Sequence, residues 1–514
     1  MVERRSPKPN VVGSSPSTPA SNSTEHVSPP AQQTVPAGGP GSLESLGFGV
    51  FLACVACLPF LVAAYPQLTD YPSHLARYHV MLEGGNNGVL ARYYDFDWIL
   101  TGNLGADLLM WPLGKVLGVE LAAKAIGAMI PVLTGLGIVA VEWAMRRRIG
   151  IGALLAFATI WSPAMGMGFY NFTLALALAL FAFAVWVGLE GKGWRWAVSV
   201  PVGIAVWLCH VSGWGVLGVL VFGYEWNRRK NMSALLAPWP LFPPFALLLL
   251  SGASSGLAYG ANAAGYKIGI WMKALRDQSM QLDLLSLAIL ALAIVVAMRS
   301  RRFDGRLGWA ALILGILTLV IPRHLGGGDY ADWRLIAVAL MAGCMAIDWQ
   351  VPRWAFYGAA ALFLFRLGVT AAAWHGQSQD LEQALLGLDD VPRGARVAGA
   401  VAVPASQWGI EPLEHAPSYA SVRRDALVNS HFAIPGVHML QLKQGGKGFV
   451  DPSQRILVAG GDPVDLSAFG PARQADYLWY FGRTPPARLP AGAKVLHRSP
   501  VSTLARLAKP ADAR

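Results

Sequence analysis

Charge is what this sequence has least of. Only 14% of its 514 residues are Asp, Glu, Lys or Arg, against about 25% in soluble proteins. A soluble surface cannot be covered with so few, and lipid requires no such cover. With 54% hydrophobic residues and a mean hydropathy of +0.42, the chain reads as a membrane protein before any motif is considered. Cysteine is also scarce. Cys54, Cys57, Cys209 and Cys344 all sit in apolar stretches, so no disulfide framework is implied. The Cys54/Cys57 spacing inside an apolar run reads as packing rather than redox chemistry. No HExxH pattern, no Cys/His ligand set and no glycine-rich phosphate fingerprint is present. Asp95-Phe96-Asp97 has a DxD spacing, too common a pattern to support a divalent metal. No metal site and no certain cofactor is therefore expected. The net charge of +11 does not signal nucleic acid, because Lys and Arg in a membrane protein gather in cytoplasmic loops.

Residues 1–45 are rich in Ser, Pro, Thr and Gly, a composition that cannot offset ordering entropy. They read as a disordered cytoplasmic tail and lack the apolar core of a signal peptide. Residues 46–374 read as a transmembrane domain. Its first span, Gly47 to Ala64, is long enough to cross a bilayer. Further spans are expected near 119–145, 149–164, 171–189, 195–210, 212–226, 233–250, 282–298, 307–322, 334–348 and 354–372, about eleven in all. Basic clusters at Arg4–Lys8, Arg146–Arg148, Lys192–Arg195, Arg228–Lys230, Arg299–Arg306 and Arg353 then fall on alternate loops. All can be cytoplasmic at once. The remaining loops and the C-terminus are placed outside the inner (plasma) membrane.

The first outside loop, 65–118, is long and aromatic, and Leu104–Val119 reads as an amphipathic helix on the membrane surface. Residues 251–281 read as a mobile loop. Charge returns over 375–514, which reads as a soluble extracytoplasmic α/β domain. Its expected strands are Arg396–Val403, Arg455–Gly460, Ala475–Phe481, Ala493–His497 and Val501–Arg506, with a short helix at Asp380–Leu388.

Polar residues with no evident solubility role collect outside. In Thr69-Asp70-Tyr71-Pro72-Ser73-His74-Leu75-Ala76-Arg77, Pro72 suits a first helical turn. Asp70, His74 and Arg77 would share one helix face. The plain reading is a capping Asp70 and a solvated face. The functional one is a general base at the membrane edge, with His74 sharing its proton or orienting a phosphate. In Arg323-His324-Leu325-Gly326-Gly327-Gly328-Asp329-Tyr330-Ala331-Asp332-Trp333-Arg334, two arginines lie on the side where cations are not expected. They either snorkel or bind an anionic group with planar, bidentate contacts, with His324 and Asp332 beside them. His210, at an outside hairpin, falls at the same depth as Asp70 and Arg334. Gly166–Phe172 is small and aromatic and reads as an interfacial belt or a sugar-stacking loop.

A polytopic core, a long first outside loop opening with an Asp, and a C-terminal outside domain resemble the C-type membrane glycosyltransferases. Asp70-Tyr71-Pro72-Ser73-His74-Leu75-Ala76-Arg77, Gly168-Phe169-Tyr170-Asn171-Phe172 and Cys209-His210 look like a bacterial group of membrane proteins related to that superfamily. The resemblance covers about 47–375. It implies a polyprenyl-phosphate sugar as donor and a glycan, lipid or protein as acceptor. It implies Asp70 as catalytic base and Arg323 or Arg334 as lipid-phosphate contacts. Arg77, His210, His324 and Asp332 complete the candidate binding set. The sequence departs from some members in lacking an Asp-Glu pair in the first loop, where His74 stands instead. A transporter or flippase is the alternative, and a non-catalytic envelope assembly protein a further one. Transport paths are usually marked by ionisable residues within spans. Here only Lys124 and Arg366 qualify, and no inverted repeat is visible.

Overall fold

The computed structural model describes residues 38–250, 256–326, 328–433, 438–443, 449, 455–458 and 461–508. Most of the expected N-terminal tail, Gly327 of the glycine run, and Gly460 lie outside them. The described part of the tail opens a helix, α1 (Ser42–Val55), followed by α2 (Leu58–Val62). Residues 65–118, expected as the first outside loop, carry α3 (Tyr71–Glu83), β1 (Tyr94–Phe96) and α4 (Gly105–Leu117). Next come α5 (Val119–Arg146), α6 (Ile151–Ala156), α7 (Pro163–Gly166), α8 (Tyr170–Gly188), α9 (Arg195–Cys209), α10 (Val211–Arg229) and α11 (Pro244–Leu250). Then follow β2 (Leu257–Ala258), α12 (Ala263–Met272), α13 (Met280–Arg299), α14 (Gly305–Val320), β3 (His324–Leu325), α15 (Trp333–Met345) and α16 (Arg353–Leu385).

The chain is mostly helical, and helices lie over the stretches read as spans. Among the described residues four are long and apolar enough to cross a membrane: α5, α8, α13 and α16 with its short continuation to Asp390. The other apolar helices are shorter, which leaves the count of eleven as an expectation. Two local expectations change. Residues 263–272, read as mobile loop, form α12, because Lys267 reaches from it to the carbonyls of Thr318 and Ile321 and to Asp332. The short helix expected at Asp380–Leu388 is the end of α16, which runs straight through position 375.

Close helix packing rests on small residues. A Cβ at Gly127 of α5 would meet the Tyr170 hydroxyl of α8 at 2.1 Å. The basic loops are tied together at one end of the bundle. Arg146 bonds Asp304 (3.1 Å) and the Met345 carbonyl (3.0 Å), Arg148 pairs with Asp348 (2.6 Å), and Arg195, Arg228 and Arg229 converge on Glu225. The loops bearing Asp70, His210 and Arg334 occupy the opposite end.

The C-terminal domain holds β4 (Arg396–Pro404), α17 (Tyr419–Arg424), β5 (Leu427–Val428), β6 (Leu440–Leu442), β7 (Arg455–Val458), β8 (Tyr477–Phe481), β9 (Lys494–Ser499) and β10 (Ser502–Arg506). Its sheet runs β5-β4-β8-β10-β9, with β7 pairing a later stretch of β4. β4 pairs parallel with β5, β7 and β8, and β10 pairs antiparallel with both β8 and β9. Side chains alternate across a strand, and the two faces enter different cores. Val397, Val401, Trp479 and Phe481 join the large core shared with the helices. Ala398, Ala400, Leu478 and Tyr480 close a small one with Leu466. β1 pairs antiparallel with β6, so the segment between α2 and α5 is built into the C-terminal region.

Candidate functional site

The segment leading to α3 is held on two sides. Asp70 N donates to Met167 O (2.9 Å) and Thr69 N to Gly166 O (3.3 Å). Opposite, the Thr69 hydroxyl donates to Glu411 O (2.8 Å) and the Ser73 hydroxyl to Ser430 O (2.8 Å). Gly168 adopts φ +86° beside the Asp70 backbone, a conformation only glycine takes without strain.

Pro72 opens α3 as expected, and Asp70 occupies the N-cap position. Its side chain makes no capping hydrogen bond, which corrects the capping reading. The carboxylate is 9% exposed and stands 3.8 Å from His415 Nε2. Burial pushes its pKa well above the usual carboxylate range, the nearby Glu414 pushes it further, and Arg334 pulls it back. His415 Nδ1 lies 3.2 Å from the Ser430 carbonyl. A carbonyl only accepts, so the proton sits on Nδ1 and the Nε2 lone pair faces Asp70.

His74 lies one turn along α3. Its ring sits among Tyr78, Tyr170 and Phe432, and its buried Nδ1 has no hydrogen-bond partner among the described residues. Burial holds the ring neutral, reinforced by Arg77, His415 and His438. Arg77 turns the other way, into a buried ion pair with Asp107 of α4 at 2.8 Å. Asp107 also accepts from Asn171 Nδ2 at 3.2 Å. Arg77 thus braces α3 against α4 and α8.

Arg334 opens α15 and stacks 4.3 Å over the Phe169 ring. Its Nη2 donates to Asp329 O at 3.1 Å, and its buried Nε has no partner among the described residues. Its Nη1 meets His210 Nε2 at 3.0 Å. His210 Nδ1 faces the backbone N–H of Ser212, also at 3.0 Å. A neutral imidazole has one N–H and one lone pair, and both of these neighbours only donate. With Ser212 N donating to Nδ1 the proton sits on Nε2 and turns toward Arg334, and an anion bridging the two would accept from both; in the other tautomer Nε2 accepts from Arg334.

The other candidates are engaged elsewhere. Arg323 forms a two-bonded pair with Asp329, both at 2.9 Å, and His324 lies 3.2 Å from the same carboxylate. Asp332 accepts from Trp333 N at 2.8 Å and pairs with Lys267. Asp70, His74, His210 and Arg334 therefore share one end of the bundle, whereas Arg77, Arg323, His324 and Asp332 are each ion-paired with a protein partner, Arg77 leaving its buried Nε without a hydrogen bond among the described residues. His415 carried no signal in the sequence, because its contact with Asp70 crosses most of the chain. Among the described residues no group of three His, Cys, Asp or Glu forms a metal cluster. Asp95 of the DxD instead lies 3.4 Å from Lys443.

No family model matches the chain, and no curated protein matches it. Among solved structures it is similar to the crystal structure of ArnT from Cupriavidus metallidurans bound to undecaprenyl phosphate. The identity is 12%, the TM-score 0.47, and the match covers 90% of this chain and 98% of that one. At this level of likeness its function is argued from its own residues.

Proposed function

We propose that this chain is a multi-pass bacterial inner-membrane glycosyltransferase, with about eleven spans, a cytoplasmic N-terminus and an extracytoplasmic C-terminal domain. It moves a sugar from a polyprenyl-phosphate donor to an acceptor in the cell envelope. The observation that carries this reading is the buried Arg334 guanidinium with its Nη1 3.0 Å from His210 Nε2 and its Nε without a partner among the described residues, at the same end as a buried, uncapped carboxylate.

The chemistry follows from these positions. The acceptor hydroxyl attacks the anomeric carbon while the bond from that carbon to the phosphate oxygen breaks. The polyprenyl phosphate departs with the bonding electrons, and Arg334 and His210 stabilise its negative charge. Asp70, once ionised, takes the hydroxyl proton, and burial, which raises its pKa, makes it the stronger base. Once protonated, Asp70 faces the His415 lone pair. Direct displacement inverts the anomeric centre. The transport reading is disfavoured at its main support: the buried Arg366 is closed by Asp283 (2.7 Å) and the Leu275 carbonyl (2.8 Å).

The test is transfer from radiolabelled polyprenyl-phosphate sugars by the reconstituted protein. Wild type should transfer at least one sugar. Asp70→Asn should lose transfer by roughly 10²–10⁴-fold while still binding polyprenyl phosphate. Undiminished transfer by Asp70→Asn would overturn the base assignment.

A further inference from the structure

At the end of the bundle opposite Asp70, His210 and Arg334, several loops are bonded into one surface. Asp348 accepts from Arg148 at 2.6 Å, and its backbone N–H donates to Arg302 O at 2.9 Å. Asp304 N donates to Ala346 O at 2.7 Å, and Arg146 reaches both Asp304 and the Met345 carbonyl. The turn after α5, the turn between α13 and α14, and the turn after α15 are thereby held together.

Arginines outnumber carboxylates on this surface. Glu142, Asp304 and Asp348 are taken by Arg146, Arg148 and Arg306. Arg147, Arg299, Arg301 and Arg302 are exposed, and none has a side-chain partner among the described residues. The neighbouring basic loops differ, because Arg195, Arg228 and Arg229 close on Glu225 and Arg228 also on Glu190.

Two of the unpaired arginines stand where the backbone favours glycine. Arg147 ends α5 at φ 56°, and Arg301 follows α13 at φ 56°, the left-handed region that glycine usually fills at a helix end. A side chain there carries a steric cost that glycine avoids. The helix dipole favours a cation in the last turn, but Arg302 lies beyond it. Charge is kept on this surface against local backbone preference.

The flanks are apolar. Val295 and Met298, within a turn or so of Arg299, and Trp309 and Leu312, one and two turns from Arg306, are exposed. Less of α13 is buried than of the other long apolar helices. Trp favours the level where lipid meets water. A dissolved anion gains nothing from such flanks, whereas a phospholipid can set its phosphates on the arginines and its chains along α13 and α14. Basic pockets between helices on the cytoplasmic side of membrane proteins hold phosphate headgroups in this way. The patch offers more planar guanidinium forks than one phosphate accepts, which favours a headgroup with two.

We propose that Arg147, Arg299, Arg301 and Arg302 bind the headgroup of an anionic, two-phosphate phospholipid. That the lipid lies in the cytoplasmic leaflet rests on the orientation proposed above. The binding itself does not, and neither depends on sugar transfer.

The experiment uses the full chain, stripped of lipid in a non-ionic detergent. Native mass spectrometry would follow titrations with cardiolipin and phosphatidylcholine, and with inorganic phosphate as competitor. Cardiolipin should bind saturably and far more tightly than phosphatidylcholine, weaken as salt rises, and resist displacement by inorganic phosphate. Arg147→Gly and Arg301→Gly should each weaken cardiolipin binding by roughly fivefold. Both should unfold close to the wild-type temperature in phosphatidylcholine nanodiscs, because glycine suits both turns. Lys230→Gly is the matched control. It removes a cation from the same left-handed geometry (φ 51°) beside the Glu225 cluster, and it should leave binding unchanged, as should Arg334→Ala. The combined Arg147→Gly/Arg299→Gln/Arg301→Gly/Arg302→Gln variant should lose the preference for cardiolipin. No such preference in wild type, displacement by inorganic phosphate, an equal loss in Lys230→Gly or Arg334→Ala, or full binding by the combined variant would each overturn the proposal.

Discussion

His415 Nε2 stands 3.8 Å from Asp70 Oδ1, bringing the C-terminal region into direct contact with the carboxylate at the start of α3. The neighbouring Glu414 raises the Asp70 pKa, and Arg334 lowers it. A general base must be ionised to act, so the acid limb of kcat/KM reports this pKa. Glu414→Gln should move that limb to lower pH, because it removes a like charge. His415→Gln should reduce transfer by less than Asp70→Asn does. Rate–pH profiles of both variants check this, and an unmoved limb in Glu414→Gln would separate Glu414 from the base.

Arg323 and Arg334 are alike in sequence and unlike in surroundings. Arg323 spends its guanidinium on Asp329, whereas Arg334 meets no carboxylate within ion-pair distance among the described residues, stands beside His210 and keeps a buried Nε without a partner. A charge-assisted hydrogen bond contributes about 1.5–3 kcal/mol, worth roughly tenfold or more in affinity. Arg334→Ala should weaken polyprenyl phosphate binding by that factor and Arg323→Ala by much less. A titration showing equal losses would contradict the donor-pair site.

Asp70 also leaves a mark on stability. Its folded pKa is raised, so the folded protein keeps a proton that the unfolded chain has released above about pH 4. The sign is therefore fixed: the protonated carboxyl's contribution is full below that pH and is lost as pH rises to the folded value. Asp70→Asn cannot ionise. It should unfold at a higher temperature than wild type at about pH 8, with the gap shrinking toward pH 4. Melting curves across that window would show an unchanging gap if the carboxylate were not desolvated.

The Arg77–Asp107 pair at 2.8 Å is buried on both sides. Removing one partner strands the other charge, at about 3–5 kcal/mol. Arg77→Met should lower the unfolding temperature sharply. The double variant Arg77→Met/Asp107→Leu should recover much of the loss, because two matched apolar groups need no counterion. Failure of the second change to rescue the first would give Arg77 a role beyond bracing.

Much of the helical frame was readable along the chain. Apolar length and flanking arginines are local properties, and α5, α8, α13, α14 and α15 lie within a few residues of the stretches they marked. Pro72 announced α3, and the apolar pattern after Leu104 announced α4. The strands β4, β8 and β10 were legible for the same reason, as short apolar runs that the structure buries on both faces. The candidate site was legible only as a list of residue types. Composition showed that Arg323 and Arg334 were both out of place. It could not show that Asp329 satisfies one and that His210 confronts the other. Nor could it show that Asp70 sits at a helix start without capping it, or that Arg366 is closed by Asp283. The partner that decides each side chain's chemistry lies on another element. His415 is the clearest case, reaching Asp70 from the far end of the chain. Burial, hydrogen-bond competition and charge coupling act through space, so only the tertiary structure decided which of these groups were left free.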